Sequence, residues 1–313
     1  MQVIENMEDP VERGVSALVV PCSARKAKLS AQTLTSGSLT AGKQATLAQQ
    51  WLRKLQKSNP CAKAGHLYSG AAFRRVYEHG LSHGTPVWVI SAGLGLVSAE
   101  RRVPPYDLTL SASSPTSLVH RVVGHFRHER WWDQVQAGPF ASPLSSIGDS
   151  NGQGRVLIAL TKPYAQLISK ALAGLPTELR SRLRLFGPGV AASLPADLRS
   201  QVLKYDQRLD LIVPGIQLDA AARALVHFAE LAANIQLVSM ECDQELIEQA
   251  LAPVQARPVV LRTRLDDDAL REHLRPWASE GLSFRTALRR LRDDSRVSCE
   301  EQRFRRLYNE VRA

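Results

Sequence analysis

Three short stretches hold most of the residues that could do chemistry in this 313-residue chain. The first, PCSARK, sets the Cys22 thiol, the Ser23 hydroxyl and the Lys26 amine close together. At a strand end, backbone N–H groups followed by a cation can hold an anion or a carbonyl oxygen. Cys22 as a nucleophile would want a histidine or a depressed pKa. No histidine is tied to it by sequence, so it reads as a small pocket residue. The second, HLYSGAAFRR, places Tyr68 just ahead of a helix start, a position that suits phosphate. Tyr68 reads as a stacking platform for a base or as a core tyrosine, and Arg74 as a phosphate contact. The third, ISAGLGLVSAERRVPPYDLTL, runs from Ile90 to Leu110 and offers Ser91, Gly93, Gly95, Glu100, Arg101 and Arg102. Its two prolines restrict the backbone ahead of Tyr106 and Asp107. A carboxylate held this way can orient water or stabilise a cationic transition state; alternatively Asp107 caps a turn.

Other chemistries lack their residue patterns. His79 and His83, and His125 and His128, are spaced for a helix face but come with no HExxH pattern or supporting carboxylates. The cysteines Cys22, Cys61, Cys242 and Cys299 form no CxxC pair, against a zinc module and a disulfide framework. No GxxxxGK[ST] occurs, and GLGL is too short for a dinucleotide fingerprint. Neither a metal nor a cofactor is expected.

The elements that must position these residues are α/β. SALVVPCS, PVWVISAG and GRVLIALT read as buried strands, SRLRLFG as a short one and LDLIVPG as a possible one. Helices are expected over 40–55, from 69, over 115–136, over 163–173 and over 218–233, with a flexible loop over 138–154 and, in the stretch from Ile90 to Leu110, a long loop that leaves the end of its strand. Strands separated by helices imply a mostly parallel central sheet with helices on both faces. Ligands gather at the carboxyl ends of such strands, which places 21–26, 91–107 and 161–164 together.

Apolar residues make up 44% of the chain and charged ones 22%, a globular profile. No apolar run reaches the roughly 18 residues of a membrane span, and MQVIENMEDPVERG lacks a secretory signal's hydrophobic segment, so a cytoplasmic location is expected. The net charge of +10 suits a polyanion partner, nucleic acid in particular. Residues 282–313 carry nine arginines against five acidic residues. They read as two amphipathic helices about a DDSRVS turn, with Ser298 as a cap and Glu301 completing a capping box. The organisation expected is an α/β domain over 1–235, a linker over 236–265 and a small helical, helix-turn-helix-like module over 266–313. In that module Arg303, Arg305 and Arg306 would grip DNA phosphates.

The PCS…K, LYSG…F, ISAGLGLV and PPYDLTL segments resemble a bacterial and phage family of uncharacterised-domain proteins with the pattern PCSxxK, LY, SAxxGL, PYD. The last block is also similar to the peroxide-stress proteins, and archaeosine synthase has a related PC…K…Y arrangement. The resemblance spans about residues 16–215 and leaves out the C-terminal helices. It implies a fold similar to uracil-DNA glycosylases, and certain phage-defence members look like glycosylases that excise bulky bases such as glucosylated hydroxymethylcytosine. Cys22, Ser23, Lys26, Tyr68, Ser91, Gly95, Leu96, Tyr106 and Asp107 match the pattern, while GQDPYH and the HPSPLS loop of true uracil glycosylases are absent. The reading is a DNA glycosylase that flips a modified base into the strand-end cleft and leaves an abasic site. Asp107, or else Glu100, would stabilise the sugar cation. Lys26 and the 22–23 backbone would bind the leaving base, Tyr68 or Tyr106 would stack on it, and Arg101 and Arg102 would hold phosphates. The alternatives are a non-catalytic DNA-binding stress protein and a tRNA deazaguanine-modification enzyme.

Overall fold

The computed structural model describes residues 14–27, 32–111, 114, 117–149, 153–256 and 261–312. The amino-terminal segment, 150–152 of the expected loop and 257–260 of the expected linker lie outside the described residues. The chain divides into two compact units, Met1–Gln255 and Ala256–Ala313.

In the first unit the strands β1 (Val15–Pro21), β2 (Val87–Ser91), β3 (Gly95–Ser98), β4 (Arg155–Ala159) and β5 (Leu183–Phe186) form one sheet in the order β3-β2-β1-β4-β5. All neighbours are parallel except β2 and β3. Leu18 in β1 lies between Val87 and Leu157. The unbroken burial of β4, of β5 and of β1 up to its last residue, Pro21, requires cover on both faces, which explains why they read as continuous apolar runs rather than alternating ones. The cover comes from α1 (Gln44–Gln56), α2 (Ala71–His83), α3 (His128–Gln136), α4 (Lys162–Ala173) and α5 (Ala220–Ala232). In α1, Leu47, Ala48, Trp51 and Leu55 repeat at helical spacing and are buried. The chain leaves β1 toward β2 and leaves β4 toward β5, so the order reverses between β1 and β4. The carboxyl ends of these two strands flank the place where such sheets bind ligands.

Several expectations change. The segment 92–110 is not one long loop: residues 92–94 turn into β3, and Arg102–Val103 and Tyr106–Asp107 pair with Ala62–Lys63 and Leu34–Thr35. The helix expected over 115–136 is a short turn at Leu118–Arg121 followed by α3. Gly124, at φ 97, separates the two. Leu209–Ile212 is a helical turn rather than a strand. The segment 138–149 contains the turn Leu144–Ile147, anchored by buried Ile147.

Residues 236–255 are not linker. They include α6 (Met240–Leu251), whose Asp243 is fully buried against the sheet's amino edge. Asp243 Oδ1 accepts from Arg155 Nη2 at 2.7 Å and Oδ2 from Arg184 Nε at 2.5 Å. Two buried guanidiniums and one carboxylate therefore fasten α6 to β4 and β5.

The second unit contains α7 (Asp267–Ser279), α8 (Phe284–Asp293) and α9 (Glu301–Arg312) around Leu270, Leu274, Leu291, Phe304 and Leu307. The first of these helices was not expected from the sequence. Residues 294–300 join α8 to α9, longer than the roughly three- to four-residue turn of a helix-turn-helix. Ser298 is no cap: its hydroxyl donates to the Thr263 carbonyl at 3.3 Å.

Candidate functional site

The carboxyl edge of β1 and β2 carries a chain of buried hydroxyls. Ser91, the last residue of β2, accepts on Oγ from Leu94 N at 2.9 Å and Gly93 N at 3.2 Å. Those bonds occupy both its lone pairs, so its own proton goes to the Tyr106 hydroxyl, 2.6 Å away. Tyr106, having accepted from Ser91, donates to the Tyr68 hydroxyl at 2.9 Å. The direction runs from backbone to Ser91 to Tyr106 to Tyr68, and the Tyr68 proton is left for an acceptor beyond the chain.

The turn that starts this chain is tied down from two sides. Trp51 Nε1 in α1 donates to Gly93 O at 2.6 Å, and Trp131 Nε1 in α3 donates to Ala92 O at 2.7 Å. A Cβ at Gly93 would stand 2.7 Å from the Tyr106 ring, so only glycine lets that ring pack over the turn. Gly95 holds a left-handed φ of 79, and a Cβ there would meet Gln136 Oε1 at 2.6 Å.

The loop after β1 runs antiparallel to residues 67–69. Ala27 N donates to Leu67 O at 2.8 Å and Ser69 N to Arg25 O at 3.0 Å. This pairing brings Lys26 opposite Tyr68 and sets its Nζ 4.6 Å from the centre of the Tyr106 ring, a cation–π contact. Among the described residues Lys26 has no carboxylate partner. Ser23 packs against Gly70 at the start of α2 and accepts from Arg25 N at 3.0 Å. Cys22 Sγ lies 3.0 Å from the Tyr164 hydroxyl at the start of α4, bridging the ends of β1 and β4. Burial, reinforced by the proximity of Cys22, pushes the hydroxyls of Tyr68, Tyr106 and Tyr164 well above the ordinary tyrosine range. All three are neutral donors at physiological pH.

The structure thus brings Cys22, Ser23, Lys26, Tyr68, Ser91, Gly93 and Tyr106 to one edge, with Gly95 at the start of β3. Neither tyrosine is a stacking platform, however. Tyr68 and Tyr106 are 1% and 0% exposed and meet edge to face, with Lys26 on the Tyr106 ring. They contribute hydroxyls, not faces. Asp107 is exposed while Tyr106 is buried, because successive strand side chains point to opposite sides. It therefore stands outside the hydroxyl chain.

Glu100 is displaced further. β3 runs antiparallel to β2 and ends with Ser98 opposite Trp88, which returns Glu100 to the amino edge. There it pairs with Lys63 at 2.6 Å. Arg101 and Arg102 follow it, donating to Pro139 O and Cys61 O, and Arg74 pairs with Glu78 on its own helix. In the second unit, Arg303 and Arg306 both engage Asp267, at 2.6 Å and 2.7 Å, and Arg305 engages Glu301. Two of the three arginines assigned to phosphate in this unit therefore dock α9 onto the start of α7.

Tyr164 was legible only as part of the strand-end segment 161–164, with no role given to it, and the tryptophan anchors were not legible as site residues. Their only sequence signals are a tyrosine just past a strand end and tryptophans on apolar helix faces. Among the described residues, no group of three or more His, Cys, Asp or Glu could hold a metal ion, and no helix is long and apolar enough to cross a membrane. No curated protein and no solved structure matches the chain. Residues 54–134 match a family described as a family of unknown function (DUF6884); the match takes in Tyr68, Ser91, Tyr106 and Asp107 and stops short of Cys22, Lys26 and Tyr164.

Proposed function

We propose that the chain is a cytoplasmic DNA glycosylase that receives its base at the carboxyl ends of β2, β1 and β4, with a fold similar to uracil-DNA glycosylases. The observation that carries this reading is the convergence of an unpaired Lys26 amine and a hydroxyl chain that leaves Tyr68 as a free donor. A base leaving a deoxyribose takes the electron pair of the glycosidic bond and becomes negative as the sugar becomes positive. Donors preorganised at the developing charge lower the barrier most. Lys26 supplies positive charge and Tyr68 a proton donor for a base carbonyl, while exposed Asp107 is the nearest carboxylate in sequence to this chain and would orient the attacking water. The target base must leave the stack to reach such a pocket. Glucosylated hydroxymethylcytosine in phage DNA is the substrate suggested by the family resemblance, with antiviral defence as the setting.

The test is incubation of the full chain with DNA carrying natural, deaminated or phage-modified bases, followed by alkaline cleavage. Strand breaks on one substrate that disappear in Lys26→Ala support the enzyme. The position of Asp107 outside the hydroxyl chain favours a second reading, a pocket that binds a base without cleaving it. DNA binding retained with no alkali-labile sites on any substrate would establish that one.

A further inference from the structure

The second unit holds a basic cleft of about 630 Å³ that no residue assigned to DNA from the sequence explains, Arg305 excepted. Arg262, Arg285, Arg289, Arg292 and Arg305 line it against Asp293 and Glu301, a local net of +3. Three of these guanidiniums are held in place: Arg262 on Arg292 O at 2.8 Å and on Asp293 at 3.3 Å, Arg292 on Cys299 O at 3.0 Å, and Arg305 on Glu301 at 3.2 Å with its guanidinium 4.4 Å over the Phe284 ring. The other two differ. Arg285 and Arg289 are exposed, one turn apart on α8, and have no hydrogen-bond or carboxylate partner among the described residues.

The placement of Arg285 works against the helix itself. The first turns of α7 and α9 carry Asp267, Asp268 and Glu301, as the helix dipole favours. The first turn of α8 carries no acid and instead has Arg285. A cation at the positive end of a helix, without an ion pair, is unfavourable for the free protein and becomes favourable when an anion enters.

We infer that this cleft is a phosphodiester-backbone site for DNA, with Arg285 and Arg289 as its contacts, Arg292 as a fixed positive charge beside them, and the ion-paired Arg262 and Arg305 as its walls. The inference rests on the proposed action on DNA only for the identity of the polyanion. Guanidinium forks match phosphate oxygens in pairs, and two arginines at helical spacing can follow a strand of phosphates.

The experiment measures binding of a fluorescent 20-base-pair DNA duplex to the full chain across a salt series, for wild type, Arg285→Ala with Arg289→Ala, and Arg180→Ala, whose guanidinium pairs with Asp197. The expected result for the double variant is a loss of affinity of about tenfold to a hundredfold and a salt slope smaller by about 2, with Arg180→Ala unchanged. Its melting temperature is expected to equal or exceed that of wild type, because the dipole conflict is gone. Wild-type affinity and slope in the double variant overturn the inference. So does equal competition by polyglutamate of matched charge, or tighter binding of an RNA duplex of the same sequence. Alkali-labile sites counted in the same samples separate the two proposals: DNA held through the cleft without base loss removes the glycosylase and leaves the cleft standing.

Discussion

Replacing Asp243 with asparagine keeps the shape of α6 while deleting the one negative charge between Arg155 and Arg184. Both guanidiniums are buried and cannot be rehydrated without opening the sheet's amino edge. Breaking a buried ion pair on one side costs about 3–5 kcal/mol, because the remaining charge is uncompensated. Here the residue serves two arginines, but each also has backbone acceptors. Arg155 donates to Gly14 O, Ile235 O and Gln236 O, and Arg184 to Ser181 O, Leu183 O and Val238 O. These retain part of the compensation and hold the expected loss within that range rather than doubling it. For a unit of this size each kcal/mol moves the melting temperature by about 2–4 °C, so Asp243→Asn is expected to lower it by roughly 6–20 °C in calorimetry. Amide exchange should accelerate first in 240–251, which the variant releases. Replacing all three residues by apolar ones of similar volume is expected to recover most of the loss. A shift under about 2 °C for Asp243→Asn, or unchanged exchange in α6, would refute the clamp.

Gly93→Ala pushes a methyl into the Tyr106 ring and is expected to cost about 1–3 kcal/mol in denaturant unfolding. Tyr68, Tyr77, Tyr106, Tyr164 and Tyr205 are all raised by burial from the ordinary value of 10.0. The unfolded chain loses those protons first, so stability falls as pH rises above 10. Phenolate absorbance should accordingly appear in step with unfolding rather than as a free titration. Burial lowers His79, His128 and His227 from 6.5. The unfolded chain therefore binds protons more readily, and the melting temperature should decline as pH drops below 6.5 toward their folded values.

The parallel sheet was legible because β1, β2 and β4 are short apolar runs bounded by turns and separated by helical periods. The strand-end cluster was legible because parallel strands gather their carboxyl ends at one edge, which placed Cys22, Lys26, Ser91 and Tyr164 together, while Tyr68 was a candidate from its place ahead of a helix start. β3 was hidden by its glycine-rich start, which reads as loop. That single omission put Glu100, Arg101 and Arg102 at the wrong edge, since an antiparallel strand carries the chain back across the sheet. The Asp243 clamp joins residues 88 and 59 positions apart, and no local pattern encodes such a pair. Pro276 concealed α7, although Leu270, Leu274 and Trp277 repeat at helical spacing behind the Asp266 cap. The tail arginines were visible as charge, but sequence alone could not separate those that fasten helices, Arg303 and Arg306, from those that face open space, Arg285 and Arg289.

Tyr68→Phe tests the central claim most directly, because it removes one oxygen from the end of the hydroxyl chain and leaves the ring packed. With the modified DNA that wild type cleaves, single-turnover release of base should slow by about 10²–10³-fold, the cost of losing one preorganised donor, while DNA affinity stays unchanged. Release at the wild-type rate by Tyr68→Phe would contradict the assignment of this edge as the base pocket.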